Sequence, residues 1–183
     1  RQRPKIELSI FRCRYETWDI FKQHHYLSED LNKASKCFIF LMNDKPVGFI
    51  AILPSPSGYY KNGFRVTRLV VLPDYQGLGI GFYILNYVSK LYLTDNKTMY
   101  IKSSNPSILS PLEKNKDWLK VKDFKNVDLL KKHNLKNGRT KFLKESISKS
   151  FKYIGEKTTD STDILTFNAD AYKEVAQNQM SMF

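Results

Sequence analysis

The spacing of apolar residues predicts strands and helices along most of the chain. Residues 5–13 alternate between apolar and polar positions, which is the pattern of a half-buried strand. Residues 15–24 carry apolar side chains at helical spacing and predict an amphipathic helix. The apolar runs 34–42 and 46–53 are joined by the turn residues Asn-Asp-Lys, so we expect them to form a β-hairpin.

The middle of the chain has the strongest pattern. Residues 64–72 form a short, β-branched run typical of a core strand, which ends at Pro73 because proline has no N–H for a sheet ladder. Residues 78–93 carry apolar side chains at helical spacing, so we expect a strand, a turn and a helix in direct succession. The predicted buried face of the helix consists of Ile80, Ile84, Leu85, Val88 and Leu91.

Shorter segments complete the pattern. A strand over residues 98–102 follows the central helix, so the crossover makes it parallel to the strand at 64–72. A helix is predicted over residues 105–114, and strands over residues 118–121 and 150–154. Further helices are predicted after an N-cap at Ser28, over residues 126–133 and over residues 167–179.

This order of elements predicts an α/β (α+β) fold, in which helices flank a mixed, partly antiparallel central sheet. A length of 183 residues suits one domain with a single core. We expect that domain to occupy residues 1–155. Residues 156–183 become polar, and we expect them to form a linker and a C-terminal helix or tail.

The cysteine content, the length of the apolar runs and the histidine spacing indicate which compartment and which ligands to expect. The only two cysteines, Cys13 and Cys37, lie in apolar segments, so we interpret them as reduced core residues of an intracellular, cytoplasmic protein. The longest apolar runs are too short to span a bilayer, so no membrane association is expected. No histidine or cysteine spacing matches a metal site, and no metal is expected.

Positive charge is concentrated in one part of the chain. The net charge is +12, and residues 112–154 carry 13 lysines and arginines against 5 acidic residues, a local excess of +8. Such an excess attracts polyanions through long-range electrostatics. It fits a coenzyme A site, a nucleic-acid surface or a solvated basic face.

The clearest chemical signal lies between the central strand and the central helix. Gly77, Gly79 and Gly81 precede or open the helix, where backbone N–H groups lack intrahelical partners and the helix dipole favours an anion. This arrangement predicts a phosphate-binding loop. It is not a P-loop, because no Lys-Ser/Thr pair follows Gly81. It is not a dinucleotide fingerprint, because Phe82 or Ile84 occupies the position of the last glycine.

The loop and its flanks resemble a known family. Residues 68–75 read Arg-Leu-Val-Val-Leu-Pro-Asp-Tyr and are followed by Gln76-x-x-Gly79-x-Gly81, which is similar to the acyl-CoA loop of the GNAT N-acetyltransferases. The resemblance is continuous over residues 68–91. It implies acetyl-CoA as co-substrate, an amine as acceptor and a splayed parallel pair of strands at the cofactor site.

One narrower branch of that family is also similar. Residues 21–28 and 68–77 resemble the predicted acetyltransferase domain that is fused to ABC-type ATPases, or that occurs as stand-alone copies in phage-like and bacterial genomes. This sequence carries no ATPase motif. The branch does not identify the acceptor.

The resemblance implies a cofactor site built mainly from backbone groups. The pyrophosphate would bind the loop and the helix start, and the pantetheine arm would pair with the backbone of Leu69 and Val71. A backbone N–H near Val70 or Val71 would polarise the thioester carbonyl. Asn105 matches an asparagine that commonly contacts the cofactor, and it equally fits a helix cap. The full predicted set is Leu69, Val70, Val71, Gln76, Gly77, Leu78, Gly79, Ile80, Gly81, Phe82 and Asn105.

Catalytic side chains follow the family pattern less well. Many relatives use a tyrosine seven residues after that asparagine as the acid, but Leu112 stands there, so the acid is unassigned. The candidate base is His24 or His25, in the segment that flanks the acceptor site in this family, because histidine titrates near neutrality. Alternatively, one histidine caps the helix and the other packs. Thr67 and Arg68 are expected to line the acceptor site, where Arg68 could bind a substrate anion.

Three functions stay open on the sequence. The leading interpretation is an N-acetyltransferase that moves acetyl from acetyl-CoA to an amine by direct attack in a ternary complex. The second is a GNAT-like enzyme that acts on a nucleic-acid base, based on the basic region and its aromatic residues. The third is a non-catalytic acyl-CoA-binding module, and monomer and dimer are equally open. The aromatic residues, which also fit a core role, are Trp118, Phe124, Phe142, Phe151 and Tyr153.

Overall fold

The computed structural model describes residues 7–25, 30–55, 62–125 and 147–165. The chain forms two compact units, one made of residues 1–99 and 156–183 and the other of residues 100–155. The strands are β1 Ser9–Cys13, β2 Lys36–Met42, β3 Lys45–Pro54, β4 Gly63–Val71, β5 Thr98–Ser103, β6 Trp118–Lys125 and β7 Ile147–Tyr153. The α-helices are α1 Trp18–Phe21, α2 Ile80–Thr94 and α3 Pro106–Lys114.

The first unit is built on an antiparallel meander of β1, β2, β3 and β4. The predicted hairpin is present, with Met42 paired to Lys45 across a two-residue turn. Asn43 and Asp44 both have positive φ, 50° and 61°, as a type I′ turn requires. This turn fixes the register of the hairpin up to the pair of Leu41 and Pro46, after which Val47 is an extra residue in β3.

Helix α2 covers one face of this sheet. Its predicted buried side chains, Ile80, Ile84, Leu85, Val88 and Leu91, are all buried. The approach is close at Gly48 of β3, where a Cβ atom would lie 2.5 Å from Cδ1 of Ile84. Glycine at this position therefore sets how closely α2 packs on the sheet.

A second cluster occupies the first unit beside α1. Trp18 and Phe21 of this short helix pack against Phe49 of β3, with ring centroids 5.6 and 5.3 Å apart. Residues 15–24 are helical as predicted, but they do not form a regular α-helix. The segment is a single α-helical turn between two 3₁₀ turns, Tyr15–Thr17 and Lys22–His24. Its β-branched and aromatic residues favour helix weakly, and no side chain caps its start.

The start of the C-terminal segment packs on the first unit. The backbone N–H of Thr158 donates to Oγ1 of Thr94 at 3.0 Å, and that hydroxyl donates to the carbonyl of Thr158 at 3.3 Å. A 3₁₀ turn at Asp163–Leu165 then buries the side chain of Leu165. The predicted linker is thus attached to the end of α2.

The second unit contains an antiparallel β5–β7–β6 sheet and α3. Strands β6 and β7 extend beyond the short runs predicted for them. Trp118, Phe151 and Tyr153 are buried, and the rings of Trp118 and Tyr153 meet edge to face. The three helices predicted after Ser28, over residues 126–133 and over residues 167–179 lie outside the described residues.

The predicted fold class is confirmed as a mixed α/β fold with helices and a partly antiparallel sheet. Strand β4, helix α2 and strand β5 follow one another in the chain as expected. The backbone N–H of Thr98 donates to the carbonyl of Asn62 at 2.9 Å, so β5 begins beside the start of β4. The strand–loop–helix segment that carries the predicted chemistry thus belongs to the first unit.

Candidate active site

The glycine loop connects the end of β4 to the start of α2. After β4, residues Pro73–Tyr75 form a 3₁₀ turn, and α2 begins at Ile80. Gly77 and Gly79 both have φ of 81°, the left-handed region that residues with a Cβ rarely adopt. The side chain of Ile80 is buried and fixes the first turn of the helix in the core.

The first turn of α2 has the features of an anion site. The first intrahelical hydrogen bond runs from the N–H of Tyr83 to the carbonyl of Gly79, so the N–H groups of residues 79–82 have no intrahelical acceptor. No side chain caps the helix start, and its first turn contains no acidic residue. The positive end of the helix dipole therefore meets no negative side chain of its own helix.

The structure refines the role of the glycines. A Cβ at Gly77 or Gly79 would meet no atom within 4 Å, so backbone conformation rather than crowding requires glycine at these positions. Gly81 has ordinary helical φ, and a Cβ there would lie 3.4 Å from Cγ2 of Val71.

The backbone of β4 alternates between its two edges. The N–H of Leu72 donates to the carbonyl of Val47 at 3.0 Å, so Leu72 faces β3. Because neighbouring residues of a strand direct their backbone groups to opposite edges, Val70 also faces β3, while Leu69 and Val71 face away from it. The side chain of Gln76 donates to the carbonyl of Val71 at 2.8 Å on that outer edge.

A β-bulge interrupts β4 just before these residues. Ala51 pairs with Arg68, but the next residue of β3, Ile52, pairs with Val66, so Thr67 is the extra residue. The Thr67 hydroxyl donates to the carbonyl of Ala51 at 3.1 Å. Bulges bend a strand and redirect its side chains, and they occur frequently near active sites. No local pattern in residues 64–72 marks this bulge.

Three side chains come together beside α1, and two of them, Arg68 and His25, are predicted for the acceptor site. The guanidinium carbon of Arg68 lies 5.7 Å from the ring centroid of Trp18. The ring of His25 meets the same indole edge to face, at 5.5 Å between centroids. His24 instead is exposed, with its Nε2 atom 3.2 Å from the side-chain nitrogen of Gln23. The helical spacing predicted Trp18 as an apolar position but not its contact with both residues.

The second unit holds the remaining predicted site residues. Asn105 caps α3, since its side-chain oxygen accepts from the N–H of Ser107 at 2.9 Å. The cap interpretation is confirmed, and contact with a cofactor stays a prediction. Leu112, at the position of the family's tyrosine, is fully buried. Of the aromatic residues in the basic region, Trp118, Phe151 and Tyr153 belong to the core.

The two cysteines are not candidates for a nucleophile. Cys13 and Cys37 face one another across β1 and β2, are buried and form no disulfide. Burial raises the pKa of Cys37 to about 12 and also raises the pKa of Cys13. Both thiols are protonated at neutral pH, and a protonated thiol is a poor nucleophile.

Within the described residues, no three histidine, cysteine, aspartate or glutamate side chains come close enough to hold a metal ion. None of the described helices is long and apolar enough to cross a bilayer.

The sequence matches one protein family over the region that contains the loop. Residues 4–108, more than half of the chain, match the sequence model of the Acetyltransferase (GNAT) family. The chain belongs to the GNAT family. No curated protein sequence matches it significantly.

Solved structures show the same GNAT fold at low sequence identity. The IAA acetyltransferase from Bacillus cereus superposes with a TM-score of 0.61 at 13% identity, over 80% of this chain and 99% of that one. The ribosomal-protein-S18-alanine N-acetyltransferase from Escherichia coli gives 0.58 at 14%, over 85% and 99%. A GNAT family acetyltransferase from Elizabethkingia anophelis with acetyl-CoA bound gives 0.54 at 12%, over 81% and 99%.

Proposed function

We propose that the protein is an N-acetyltransferase that moves the acetyl group of acetyl-CoA to an amine by direct attack in a ternary complex. The observation that carries the proposal is the open first turn of α2, which follows a loop whose Gly77 and Gly79 have positive φ. Acetyl-CoA contains a pyrophosphate, and a helix start of this kind binds such anions through backbone N–H groups.

The cofactor would lie along the loop and the outer edge of β4. The N–H groups of residues 77–82 would hold the pyrophosphate, and the outward-facing backbone of Leu69 and Val71 would pair with the pantetheine arm. Of the two N–H groups considered for the thioester carbonyl, that of Val71 is favoured, because Val70 faces β3. In that position it would stabilise the negative charge that develops on the carbonyl oxygen.

The acceptor would bind beside α1, next to the bulge. Its amine must lose a proton during or before attack, and His25 is the better candidate base of the histidine pair. His25 packs on Trp18, which also contacts Arg68 next to the proposed cofactor edge, whereas His24 is exposed beside Gln23. No residue is proposed as the acid, because Leu112 is buried and cannot donate a proton.

Several features support this function over the alternatives. Three aromatic residues of the basic region are core residues, which removes them as a platform for stacking bases. A binding module would need no polar side chains at an acceptor site, yet His25 and Arg68 meet there around Trp18. We further propose residues 1–155 as the catalytic domain of a cytoplasmic enzyme of the branch related to ABC-fused acetyltransferases.

The test is release of CoA from acetyl-CoA over a panel of primary amines, in wild type, His25→Asn and His24→Asn. Asparagine keeps a polar side chain of similar size but cannot accept a proton near neutral pH. We expect His25→Asn to lower kcat by about 100-fold, within the range of general-base contributions, and His24→Asn to act like wild type. Acetyl-CoA binding without CoA release for any amine would favour the binding module. Full turnover by His25→Asn would remove the base assignment.

A further inference from the structure

Arg68 is the cationic side chain closest in sequence to the proposed cofactor edge. It directly precedes Leu69, at the end of the bulge, and it pairs with Ala51 of β3. Its guanidinium donates from Nη1 to the carbonyl of Thr67 at 2.9 Å and lies over the ring of Trp18. Stacking and one backbone bond thus hold the planar guanidinium in a fixed place.

One hydrogen-bond donor of this side chain is buried and unused. Its Nε atom is buried and has no hydrogen-bond partner, and no carboxylate of the described residues forms an ion pair with Arg68. Burying a charged donor without a partner costs free energy, so an anion that paired with it would be favoured. Arginine presents its donors as a rigid fork that matches a carboxylate or phosphate group with two parallel hydrogen bonds.

The surroundings of Arg68 place that anion beside the reacting groups. Trp18 contacts Arg68 at 5.7 Å and His25 at 5.5 Å, so the indole connects the cation with the candidate base. The next residue in the strand is Leu69, whose backbone faces the outer edge of β4. An acceptor whose anionic group bound Arg68 would thus extend between the base and the proposed thioester.

We propose that Arg68 binds an anionic group of the acceptor, so that the natural substrate is an amine carrying a carboxylate or a phosphate. That Arg68 recognises a substrate rests on the proposed function. Anion binding at Arg68 itself is a separate property that can be measured without turnover.

The chain offers a matched control for Arg68. Arg12 also stacks on an aromatic ring, with its guanidinium carbon 5.0 Å from the ring centroid of Phe38, and donates from Nη1 to a backbone carbonyl, that of Cys37, at 2.9 Å. Its Nε is also buried without a partner. Arg12 lies on β1, away from the loop and the bulge, so its replacement reproduces the structural loss without touching the acceptor site.

Direct binding is measured by the fluorescence of Trp18 in a Trp118→Phe background, because the chain has two tryptophans. The probes are ω-amino carboxylates of three to six carbons, their amides and 2-aminoethyl phosphate. We expect saturable changes with an anionic probe and none with the matched amide. Arg68→Gln should weaken the affinity at least tenfold, Arg68→Lys less, and Arg12→Gln not at all. The preferred probe distinguishes carboxylate from phosphate.

Turnover provides the second readout. In Arg68→Gln we expect KM for the anionic amine to rise at least tenfold, and the ratio of kcat/KM for the anionic amine to kcat/KM for the matched neutral amide to fall by a similar factor. The inference is overturned if no anionic probe saturates in wild type, if amides bind equally, or if Arg68→Gln binds like wild type while thermal melting shows it folded. Absence of CoA release with every amine contradicts the proposed function instead, because the fluorescence titration still decides anion binding.

Discussion

The side chain of Gln76 donates a 2.8 Å hydrogen bond to the carbonyl of Val71, which ties the first residue of the glycine loop to the strand that precedes it. The bond spans the 3₁₀ turn at Pro73–Tyr75. It thus fixes where the loop leaves β4, and with it the position of the N–H groups at the start of α2. Gln76 itself is exposed to solvent.

Gln76→Ala should lower acetyl-CoA affinity about tenfold, because the loop loses its tie to β4. The cost to folding should be small, about 0.5–1.5 kcal/mol, as for a typical hydrogen bond. Gln76→Glu should be worse for binding, because its carboxylate cannot donate to the carbonyl and repels the pyrophosphate. Calorimetric titration and urea denaturation measure the two effects. Wild-type affinity in both variants would show that the Gln76–Val71 bond does not organise the site.

Alanine substitutions at Gly79 and Gly81 should separate the effect of backbone conformation on stability from the effect of a side chain on acetyl-CoA binding. Gly79→Ala places a Cβ on a residue with φ of 81° and should lower stability by about 1–2 kcal/mol. Gly81→Ala lies in the first turn of α2 with helical φ, so its stability should stay level or rise by up to about 1 kcal/mol. If the loop holds phosphates, both variants should lose acetyl-CoA affinity. A Gly81→Ala protein with wild-type affinity would argue against close approach of a phosphate there.

The close approach of Gly48 and Ile84 predicts that substitutions at these two positions have coupled effects on stability. Gly48→Ala should cost about 1–3 kcal/mol, the usual range for overpacking, because the new Cβ would lie 2.5 Å from Cδ1 of a buried side chain. Ile84→Val removes that atom at a cost of about 0.5–1.5 kcal/mol. The double variant should lose less stability than the sum of the single ones. Simple additivity in a denaturation cycle would mean that α2 does not pack against Gly48 as described.

Much of the fold could be predicted because its signals are local. The turn at Asn43 and Asp44, the buried face of α2 and the cap at Asn105 each depend on residues a few positions apart. The helical span over residues 15–24 follows from its spacing, but its division into 3₁₀ and α-helical turns does not. Its apolar residues are placed by contact with β3, a tertiary effect that overrides propensity.

Only the part of the candidate site that depends on neighbouring residues could be predicted. The loop follows from its own glycines, and the structure adds the physical reason for two of them, the positive φ of Gly77 and Gly79. The bulge at Thr67 and the contact of Trp18 with Arg68 arise from the pairing of β3 with β4 and from the docking of α1. Those depend on residues far apart in sequence, so no local pattern marks them.

The buried thiols predict a pH dependence of stability. The pKa of Cys37 is raised to about 12 in the folded protein from an ordinary value of 9.0, because burial disfavours the thiolate. Below pH 9 the thiol is protonated in both states and stability is unaffected. From pH 9 to 12 the unfolded chain releases a proton that the folded chain retains, so stability falls as pH rises.

Denaturation curves from pH 8 to 11 should show that fall, and the slope should decrease in Cys37→Ala. Cys13, whose pKa burial also raises, contributes to the slope in the same direction. At pH 8, a thiol reagent should label neither cysteine in the folded protein and both in urea. Rapid labelling of the native protein would contradict the burial of this pair.

The central claim is that the loop after β4 and the first turn of α2 hold acetyl-CoA through its phosphates. Isothermal titration with acetyl-CoA and with S-acetyl-pantetheine, which carries the same thioester without the pyrophosphate, tests it most directly. We predict saturable binding of one acetyl-CoA per chain and binding of S-acetyl-pantetheine at least 100-fold weaker, a difference of about 2.7 kcal/mol. Equal affinity for the two, or no binding of acetyl-CoA at millimolar concentration, would contradict the account.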